Sequence, residues 1–239
     1  MSLSHSPKIV TNGLVLCLDA ADKKSYPGTG TLWTDRSGNI SNGTLVNGVG
    51  YNSANAGYLT FNGSNHYSSL STVSNIHNQN FTISIWIYPN IQSAQIVSII
   101  DFDHSTSPFQ GWTVQSEDAT TNRNFYLAWY DGTQFQPAGL LGAGRGIQIN
   151  SSVWQNIVYS KNGISLLAYK NNSQVYASTA GTATVSYLSN RNINIGRTVN
   201  TQQSRYFNGN IAQVSIYNRA LSPQEITQNF NATRGRYGI

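Results

Sequence analysis

Charged side chains are scarce in this chain. Asp, Glu, Lys and Arg make up 10% of its 239 residues, whereas about 25% is usual for a soluble protein. The 14 basic and 9 acidic residues give a net charge of +5, and the longest basic run is Lys23-Lys24. Proteins that bind nucleic acid present a clustered basic stripe or a recognisable module. The sequence has neither feature, so we exclude nucleic acid as a partner.

Cysteine and long apolar runs are equally scarce. Cys17 is the sole cysteine and lies in an apolar stretch, so no internal disulfide can form and the side chain should be a small buried hydrophobe. Residues 1–8 lack the charged and apolar regions of a secretory signal. No apolar run reaches the roughly 20 residues of a membrane-spanning helix. We therefore expect no membrane insertion.

Paired acids, which glycosidases use for catalysis, are lacking too. The two glutamates are Glu117 and Glu225, and a glycosidase needs two carboxyl groups about 5–5.5 Å or about 6.5–9.5 Å apart. Asp101 and Asp103 come nearest to a pair, because alternate residues of a strand share a face. The four histidines are dispersed without zinc-site spacing. We expect no enzyme; a glycan hydrolase using Asp101 and Asp103 is the least favoured alternative.

What the chain does have is a regular succession of short apolar segments. Hydrophobic residues make up 39% and aromatic residues 11% of the chain, enough for one large core. Strand-like runs alternate with Asn, Gly and Ser turns about every ten residues, as in a β-sandwich. The predicted strands are 14–18, 44–47, 57–61, 66–70, 81–88, 96–102, 111–116, 124–130, 153–160, 164–170, 174–178, 192–196 and 211–217. Residues 131–150 predict a long loop or irregular edge.

The segment from Tyr206 to Ile226 has the clearest pattern. Alternation predicts one strand face made of Ile211, Gln213 and Ser215 and an opposite face made of Ala212, Val214 and Ile216. Ser222, Pro223 and Glu225 then predict a helix that begins with a capping box. The segment therefore predicts a last strand followed by a short helix.

This closing segment resembles that of laminin-G-like, concanavalin A-like domains. Further resemblances, in chain order, are Leu14-Val-Leu-Cys-Leu-Asp-Ala-Ala-Asp22, Gly57-Tyr-Leu-Thr-Phe-Asn-Gly-Ser-Asn-His-Tyr67, Phe81-Thr-Ile-Ser-Ile-Trp-Ile-Tyr-Pro89, Trp154-Gln-Asn-Ile-Val-Tyr-Ser-Lys-Asn-Gly163 and Ile193-Asn-Ile-Gly-Arg197. The resemblance implies an antiparallel jelly-roll β-sandwich with one short C-terminal helix. We place an N-terminal arm at 1–8, one domain at 9–230 and a C-terminal tail at 231–239. The fold alone does not decide function, because it serves lectins, hydrolases and structural proteins.

Calcium is the metal with most support in the sequence. Asp35, Ser37 and Asn39 offer oxygen atoms at alternate positions, and Ca²⁺ takes six to eight oxygen ligands. The resemblance implies that an Asp of the closing strand would complete such a site, but Ala212 stands there. The alternative is an Asx turn in which Asp35 accepts hydrogen bonds from its own loop. No cofactor is required; a structural calcium at these residues is a hypothesis.

Aromatic residues and their polar neighbours are the candidate contacts for a glycan or a protein. On the predicted strand 124–130, residues 125, 127 and 129 share one face and residues 126, 128 and 130 the other. With the Phe125 face inside, Tyr126 and Tyr130 would line an exposed sheet, whereas two-sided packing is the alternative. The candidate contact residues are Trp112, Tyr126, Trp129, Tyr130, Arg123, Asp131, Tyr26 and Trp33.

The uncharged polar composition is typical of adhesins, virion proteins and secreted binding modules. It occurs here without an export signal or disulfides, and proteins of a bacteriophage particle combine these features because lysis releases them. We therefore expect a non-enzymatic virion protein that decorates a capsid or belongs to a tail or fibre. Its partners would be other virion proteins, copies of itself and cell-surface glycans. A free, extracellular carbohydrate-binding lectin is the alternative.

Overall fold

The computed structural model describes residues 7–70, 73, 76–90, 96–102, 110–116, 123–137, 146–187, 192–198 and 205–239. Over these residues the strands are Leu14–Asp19 (β1), Leu32–Trp33 (β2), Gly43–Val46 (β3), Gly50–Asn52 (β4), Tyr58–Asn62 (β5), Tyr67–Leu70 (β6), Phe81–Pro89 (β7), Ser98–Phe102 (β8), Trp112–Ser116 (β9), Asn124–Tyr130 (β10), Phe135–Gln136 (β11), Ile147–Gln148 (β12), Gln155–Asn162 (β13), Ser165–Lys170 (β14), Ser173–Ser178 (β15), Ile193–Ile195 (β16) and Asn208–Tyr217 (β17). The α-helix Pro223–Thr233 (α1) follows, and short 3-10 helices span Ala54–Ala56 and Arg234–Tyr237.

The strands form two antiparallel sheets. The first sheet has the order β15-β14-β13-β7-β17-β5-β4, with β1 paired to β17, and the second has the order β11-β10-β9-β8-β16-β6-β3-β2, with β12 paired to β10. The main core lies between them and takes residues such as Ile85 and Val214 from the first sheet and Val114 and Leu127 from the second. The prediction of a jelly-roll β-sandwich with one short C-terminal helix is confirmed.

The sequence pattern located the long strands well and missed the shortest ones. Each of the thirteen predicted segments overlaps a strand. The strands that it missed are β2, β4, β11 and β12, which have two or three residues each, too few for a period of two to show. Two of them lie within 131–150, and residues 138–145 of that stretch are outside the described residues.

The alternation predicted for the last strand is correct only in its second half. Val214 and Ile216 lie in the main core as expected, but Ile211 lies there as well, whereas Ala212 packs on the outer side. The register between β17 and β7 shifts between Ile211 and Gln213. A β-bulge adds one residue to a strand and therefore reverses the faces beyond it, so the predicted grouping of Ile211 with Gln213 is wrong.

Helix α1 and the residues after it cover the outer side of the first sheet. Phe230 and Tyr237 stack on Trp86 with ring centroids 5.7 and 4.1 Å apart, and Trp154 lies 4.8 Å from Tyr237. Nε1 of Trp86 donates a hydrogen bond to Oγ1 of Thr233 at 2.9 Å. Residues 231–239, expected to form a tail, thus supply part of a buried aromatic cluster.

The predicted capping box starts α1. The Ser222 hydroxyl accepts from the Glu225 N–H, and the Glu225 carboxylate accepts from the Ser222 N–H. The same carboxylate accepts two hydrogen bonds from Arg219, at 2.6 and 2.8 Å. Hydrogen bonding to the Arg219 guanidinium, helped by the Ser222 N–H, lowers the pKa of Glu225 from 4.5 to about 2.

We expect Glu225→Gln to lower the free energy of unfolding by about 1 kcal/mol at pH 7, because glutamine keeps the cap and loses the ion pair. A carboxylate with a lowered folded pKa stabilises above its unfolded pKa and loses that contribution as the pH falls. The difference between wild type and variant should therefore shrink from pH 4.5 towards pH 2. Urea titrations across this range measure it; a difference that does not change with pH would contradict the prediction.

Candidate functional site

The two outer faces of the sandwich differ in chemistry. The first sheet is covered by apolar clusters that include Trp86, Phe230 and Leu221. The second sheet directs polar side chains outward, because the residues between them, such as Ile193 and Ile195, point into the core. Pairing places Asn194 opposite Asp101. The next strand places Thr113 opposite Asp101, so a polar row crosses three strands.

We call this surface the polar face. Its strand residues are Tyr67, Ser69, Asp101, Thr113, Gln115, Tyr126 and Asn194, and its loop residues are Arg197, Thr198 and Arg205. The loop residues belong to the connection between β16 and β17, whose two sides are bridged by Arg197 and Tyr206.

Hydrogen bonds hold the polar face in place. Nη1 of Arg205 donates to Oε1 of Gln115 at 2.9 Å, and Nε2 of Gln115 donates to the hydroxyl of Tyr126 at 2.7 Å. The Thr198 hydroxyl donates to Oδ2 of Asp101 at 3.1 Å. Buried hydrogen-bonded chains of this kind fix the orientation of the groups at their ends, so Arg205 is positioned by Gln115, which is held in turn by Tyr126 on the neighbouring strand.

A stacked pair marks the other end of the face. The Arg197 guanidinium carbon lies 3.6 Å from the centre of the Tyr67 ring, a cation–π contact. Both side chains are partly exposed, as is Arg205. In contrast, Asp101, Thr113 and Asn194 are buried, at 0%, 0% and 2% exposure. A ligand would therefore meet the arginines and Tyr67, whereas the buried residues act as support.

Four of the predicted contact residues lie in the main core. Trp33 and Trp129 are 0% exposed and Trp112 is 1% exposed, and Trp129 packs against Gly181. Tyr26 is also buried, and its hydroxyl donates to the carbonyl of Gly30. A side chain without exposed surface cannot stack on a glycan, so these four residues do not form a surface site.

The other predicted contact residues lie in three places. Tyr126 is on the polar face but buried beneath Arg205, and Arg123 is buried before β10. Tyr130 is half-buried and meets Phe135 edge-to-face at 5.3 Å. The Phe125 side of β10 faces the core, and Tyr126 and Ala128 on the other side are buried as well, so β10 has the two-sided packing given as the alternative. The structure thus brings together only Tyr126 with the residues of the polar face.

Asp131 serves its own turn. Its Oδ1 accepts from the backbone N–H groups of Thr133 and Gln134 and from the Thr133 hydroxyl, and Oδ2 accepts from Gln136. Desolvation raises the pKa, but the hydrogen bonds from Gln134 and Thr133 outweigh it and lower the pKa of Asp131 to about 2. The carboxylate is ionised at neutral pH and holds the turn after β10.

Asp35 is surrounded by protein hydrogen-bond donors. Its Oδ1 accepts from the N–H groups of Cys17 and Ser37 at 2.8 and 2.9 Å, and Oδ2 accepts from the Ser37 hydroxyl and the Ser41 N–H at 2.7 and 3.1 Å. Asn39 directs its amide nitrogen at backbone carbonyls of β1. Saturated carboxylate oxygens do not fit a calcium site. The described ranges also contain no cluster of three His, Cys, Asp or Glu suited to a metal.

The calcium hypothesis can be tested by thermal unfolding. We expect the same melting temperature in EDTA and in millimolar CaCl₂, because the Asp35 oxygens are engaged by N–H and O–H donors and a ligand raises stability only when it binds the folded state. Asp35→Asn, which keeps the size but weakens the acceptor, should lower stability equally in both buffers. A melting temperature that rises with calcium concentration would contradict this expectation.

The acids considered for hydrolysis do not form a catalytic pair in the described residues. Asp101 is fully buried and hydrogen-bonded to Thr198, and Glu225 caps α1. Asp103 and Glu117 lie outside the described residues.

A separate cleft of about 450 Å³ lies between the N-terminal segment, β1 and the end of α1. Two ion pairs line it, Arg236–Asp19 at 2.7 Å and Arg36–Asp22 at 3.2 Å. Cys17 also lines it, but burial, reinforced by Asp19, raises the pKa of its thiol to about 12, so it stays protonated at neutral pH and is not a nucleophile. The Arg236–Asp19 pair ties the C-terminal segment to β1.

No helix of the described chain is long and apolar enough to span a membrane.

Sequence reasoning missed Tyr67, Arg197 and Arg205 as site residues. Tyr67 and Arg197 lie at the ends of segments that were interpreted only as strands, and Arg205 lies in a polar stretch with no periodicity. The available signal was charge: few acidic residues are present to neutralise the arginines. Only the folded structure shows that these three residues lie on the same face of the second sheet.

Several solved structures share this architecture. The binding domain of Paraclostridial Mosquitocidal Protein 1 has a TM-score of 0.66 at 19% identity, covering 93% of this chain and 52% of that one. The binding domain of botulinum neurotoxin DC in complex with SialylT has a TM-score of 0.67 at 15% identity, with 93% and 52% covered. Domain 4 of AbnA, a GH43 extracellular arabinanase from Geobacillus stearothermophilus, in complex with arabinotriose, has a TM-score of 0.63 at 17% identity, with 92% and 98% covered.

The chain spans about half the length of the toxin binding domains and nearly all of the arabinanase domain. At these identities the similarity shows the fold alone. No curated protein sequence matches the chain. The Laminin_G_3 family, described as the concanavalin A-like lectin/glucanases superfamily, matches residues 62–227. This match covers more than half of the chain, which therefore belongs to the Laminin_G_3 family of concanavalin A-like domains.

Proposed function

We propose that this protein is a non-catalytic glycan-binding module whose site is the polar face of the second sheet. The observation that carries the proposal is the chain from Arg205 through Gln115 to Tyr126 beside the stacked Arg197 and Tyr67. A site of this kind offers fixed hydrogen-bonding groups and an aromatic side chain, the features that orient a polar ligand.

Two comparisons support binding of a saccharide. The arabinanase domain was solved with arabinotriose and a botulinum neurotoxin binding domain with SialylT. Their identity to this chain is below 20%, so the shared property is the scaffold. The lack of a carboxylate pair with open access on the described part of the polar face favours binding without turnover.

A glycan array with the purified chain tests the proposal. We expect selective binding, and Tyr67→Ala should weaken binding of the best glycan about tenfold, or about 1.4 kcal/mol. Tyr176→Ala is the matched control, because Tyr176 is a partly buried tyrosine of β15 in the first sheet. Absence of any bound glycan would overturn the proposal, and equal loss in both variants would move the site away from the polar face.

We further propose that the module works as a component of a bacteriophage particle, on a capsid, tail or fibre, with virion proteins and copies of itself as partners. Support comes from composition: 10% charged residues and one cysteine. Weak single sites would gain strength from copy number on a particle. Cryo-electron microscopy of the source particle tests this: ordered density at a symmetric position is expected, and absence from every particle would favour a free extracellular lectin.

A further inference from the structure

We infer that the polar face binds an acidic oligosaccharide through two arginines, Arg197 and Arg205. The inference rests on the proposed function and specifies its ligand class. The shared chemistry is a negatively charged oxygen group, carboxylate or sulfate, on a sugar.

Three other arginines of the described residues are neutralised within the chain. Arg36, Arg219 and Arg236 each pair with a carboxylate of this chain, at 3.2, 2.6 and 2.7 Å. Neither Arg197 nor Arg205 forms an ion pair with an acidic residue within the described ranges. Their charge is therefore available to a ligand.

Arg197 has unused hydrogen-bonding capacity. Its Nε is buried and has no hydrogen-bond partner among the described residues, and the guanidinium carbon lies over the Tyr67 ring, 3.6 Å from its centre. Stacking fixes the plane of the guanidinium and leaves its edge for a bidentate contact with an oxygen acid.

Arg205 is oriented by a neutral partner. Nη1 donates to the side-chain carbonyl of Gln115, which Tyr126 holds from beneath. An amide oxygen fixes the direction of the guanidinium without neutralising it, whereas a carboxylate would do both. Gln115 and Tyr126 are therefore positioning residues.

The two arginine side chains are held by residues on different strands, Arg205 by Gln115 and Arg197 by Tyr67. Gln115 on β9 and Tyr67 on β6 are three strands apart in the order β9-β8-β16-β6, or about 14 Å at the usual strand separation. A ligand that contacts both guanidinium groups would therefore be an oligosaccharide rather than a single sugar.

Matched probes test the inference. Calorimetry would compare oligogalacturonate with its fully methyl-esterified form, and dextran sulfate with dextran, so that the members of each pair share a sugar backbone and only one of them carries acidic groups. We expect at least one charged probe to bind about tenfold more tightly than its neutral counterpart, with affinity falling as salt rises. The pair that shows the difference identifies carboxylate or sulfate as the recognised group.

Three arginine variants locate the site. Arg197→Gln and Arg205→Gln should each reduce affinity for the charged probe about tenfold, a larger loss than for the neutral counterpart of the same probe. Arg234→Gln is the matched control, since Arg234 follows α1 on the opposite side of the sandwich. Equal binding of charged and neutral probes would overturn the inference and leave the proposed function standing, as would equal losses in all three variants. Absence of binding to every glycan, charged or neutral, would overturn both.

Discussion

Trp129→Ala is expected to lower the free energy of unfolding by about 3–5 kcal/mol, the usual cost of truncating a buried tryptophan. Trp129 is fully buried, and the ammonium group of Lys161 lies 5.0 Å from its ring. That ammonium group donates to the carbonyls of Gln79, Gly163 and Ala183 at 2.8–2.9 Å. Loss of the ring would leave a cavity beside the buried ammonium group of Lys161. This group is held by its three hydrogen bonds and cannot move freely to fill the cavity.

Chemical denaturation of the variant and of Val153→Ala measures this effect. Val153 is 46% exposed, so its truncation should cost less than about 0.5 kcal/mol. The folded fraction of Trp129→Ala should bind its glycan with unchanged affinity. Wild-type stability together with lost glycan binding would show that Trp129 is a contact residue, against its placement in the core.

Tyr237→Ala is expected to lower the free energy of unfolding by about 2–4 kcal/mol, slightly less than for a residue at the centre of a core. The Tyr237 ring is 6% exposed and lies against both Trp86 and Trp154. Removing it would uncover apolar surface of two tryptophans on the outer side of the first sheet. The same change should loosen the end of α1, because Trp86, on which Tyr237 stacks, also donates a hydrogen bond to Thr233 of that helix.

Ile239→Ala is the matched control, two residues further along and 39% exposed. It should change stability by less than about 0.5 kcal/mol. Thermal and urea unfolding of both variants would decide whether the C-terminal residues act as a packed element. Equally small changes in the free energy of unfolding for both variants would show that Tyr237 adds no more stability than the exposed Ile239. Residues 231–239 would then behave as a tail that is not packed on the domain.

The two outer faces of the sandwich have divided roles. The aromatic cluster of Trp86, Trp154, Phe230 and Tyr237 closes the first sheet. The second sheet keeps polar side chains outward, including two arginines without acid partners among the described residues. The proposed binding site therefore lies on the second sheet, where hydrogen-bonding groups and two arginines without acid partners among the described residues occur together.

Local patterns were sufficient where a residue's role depends on its immediate neighbours. Ser222, Pro223 and Glu225 identified the start of α1, and the alternation in β10 grouped the residues of each side without deciding which side is core. At Ile211 the same reasoning failed, because a bulge depends on the register with a partner strand. Trp112 and Trp129 were placed at a surface for a related reason: both sides of a strand can be buried, and sequence cannot tell which polar neighbours are covered.

The sequence by itself determined an antiparallel β-sandwich, the positions of its longer strands and the capped C-terminal helix, because strand periodicity and capping act over a few residues. The tertiary structure alone decided the candidate site. Tyr67 and Arg197 are 130 positions apart by their numbers, as Gln115 and Arg205 are 90 apart, and only strand order brings each pair together. Electrostatic and hydrogen-bonding contacts depend on distance in space, which no local pattern encodes.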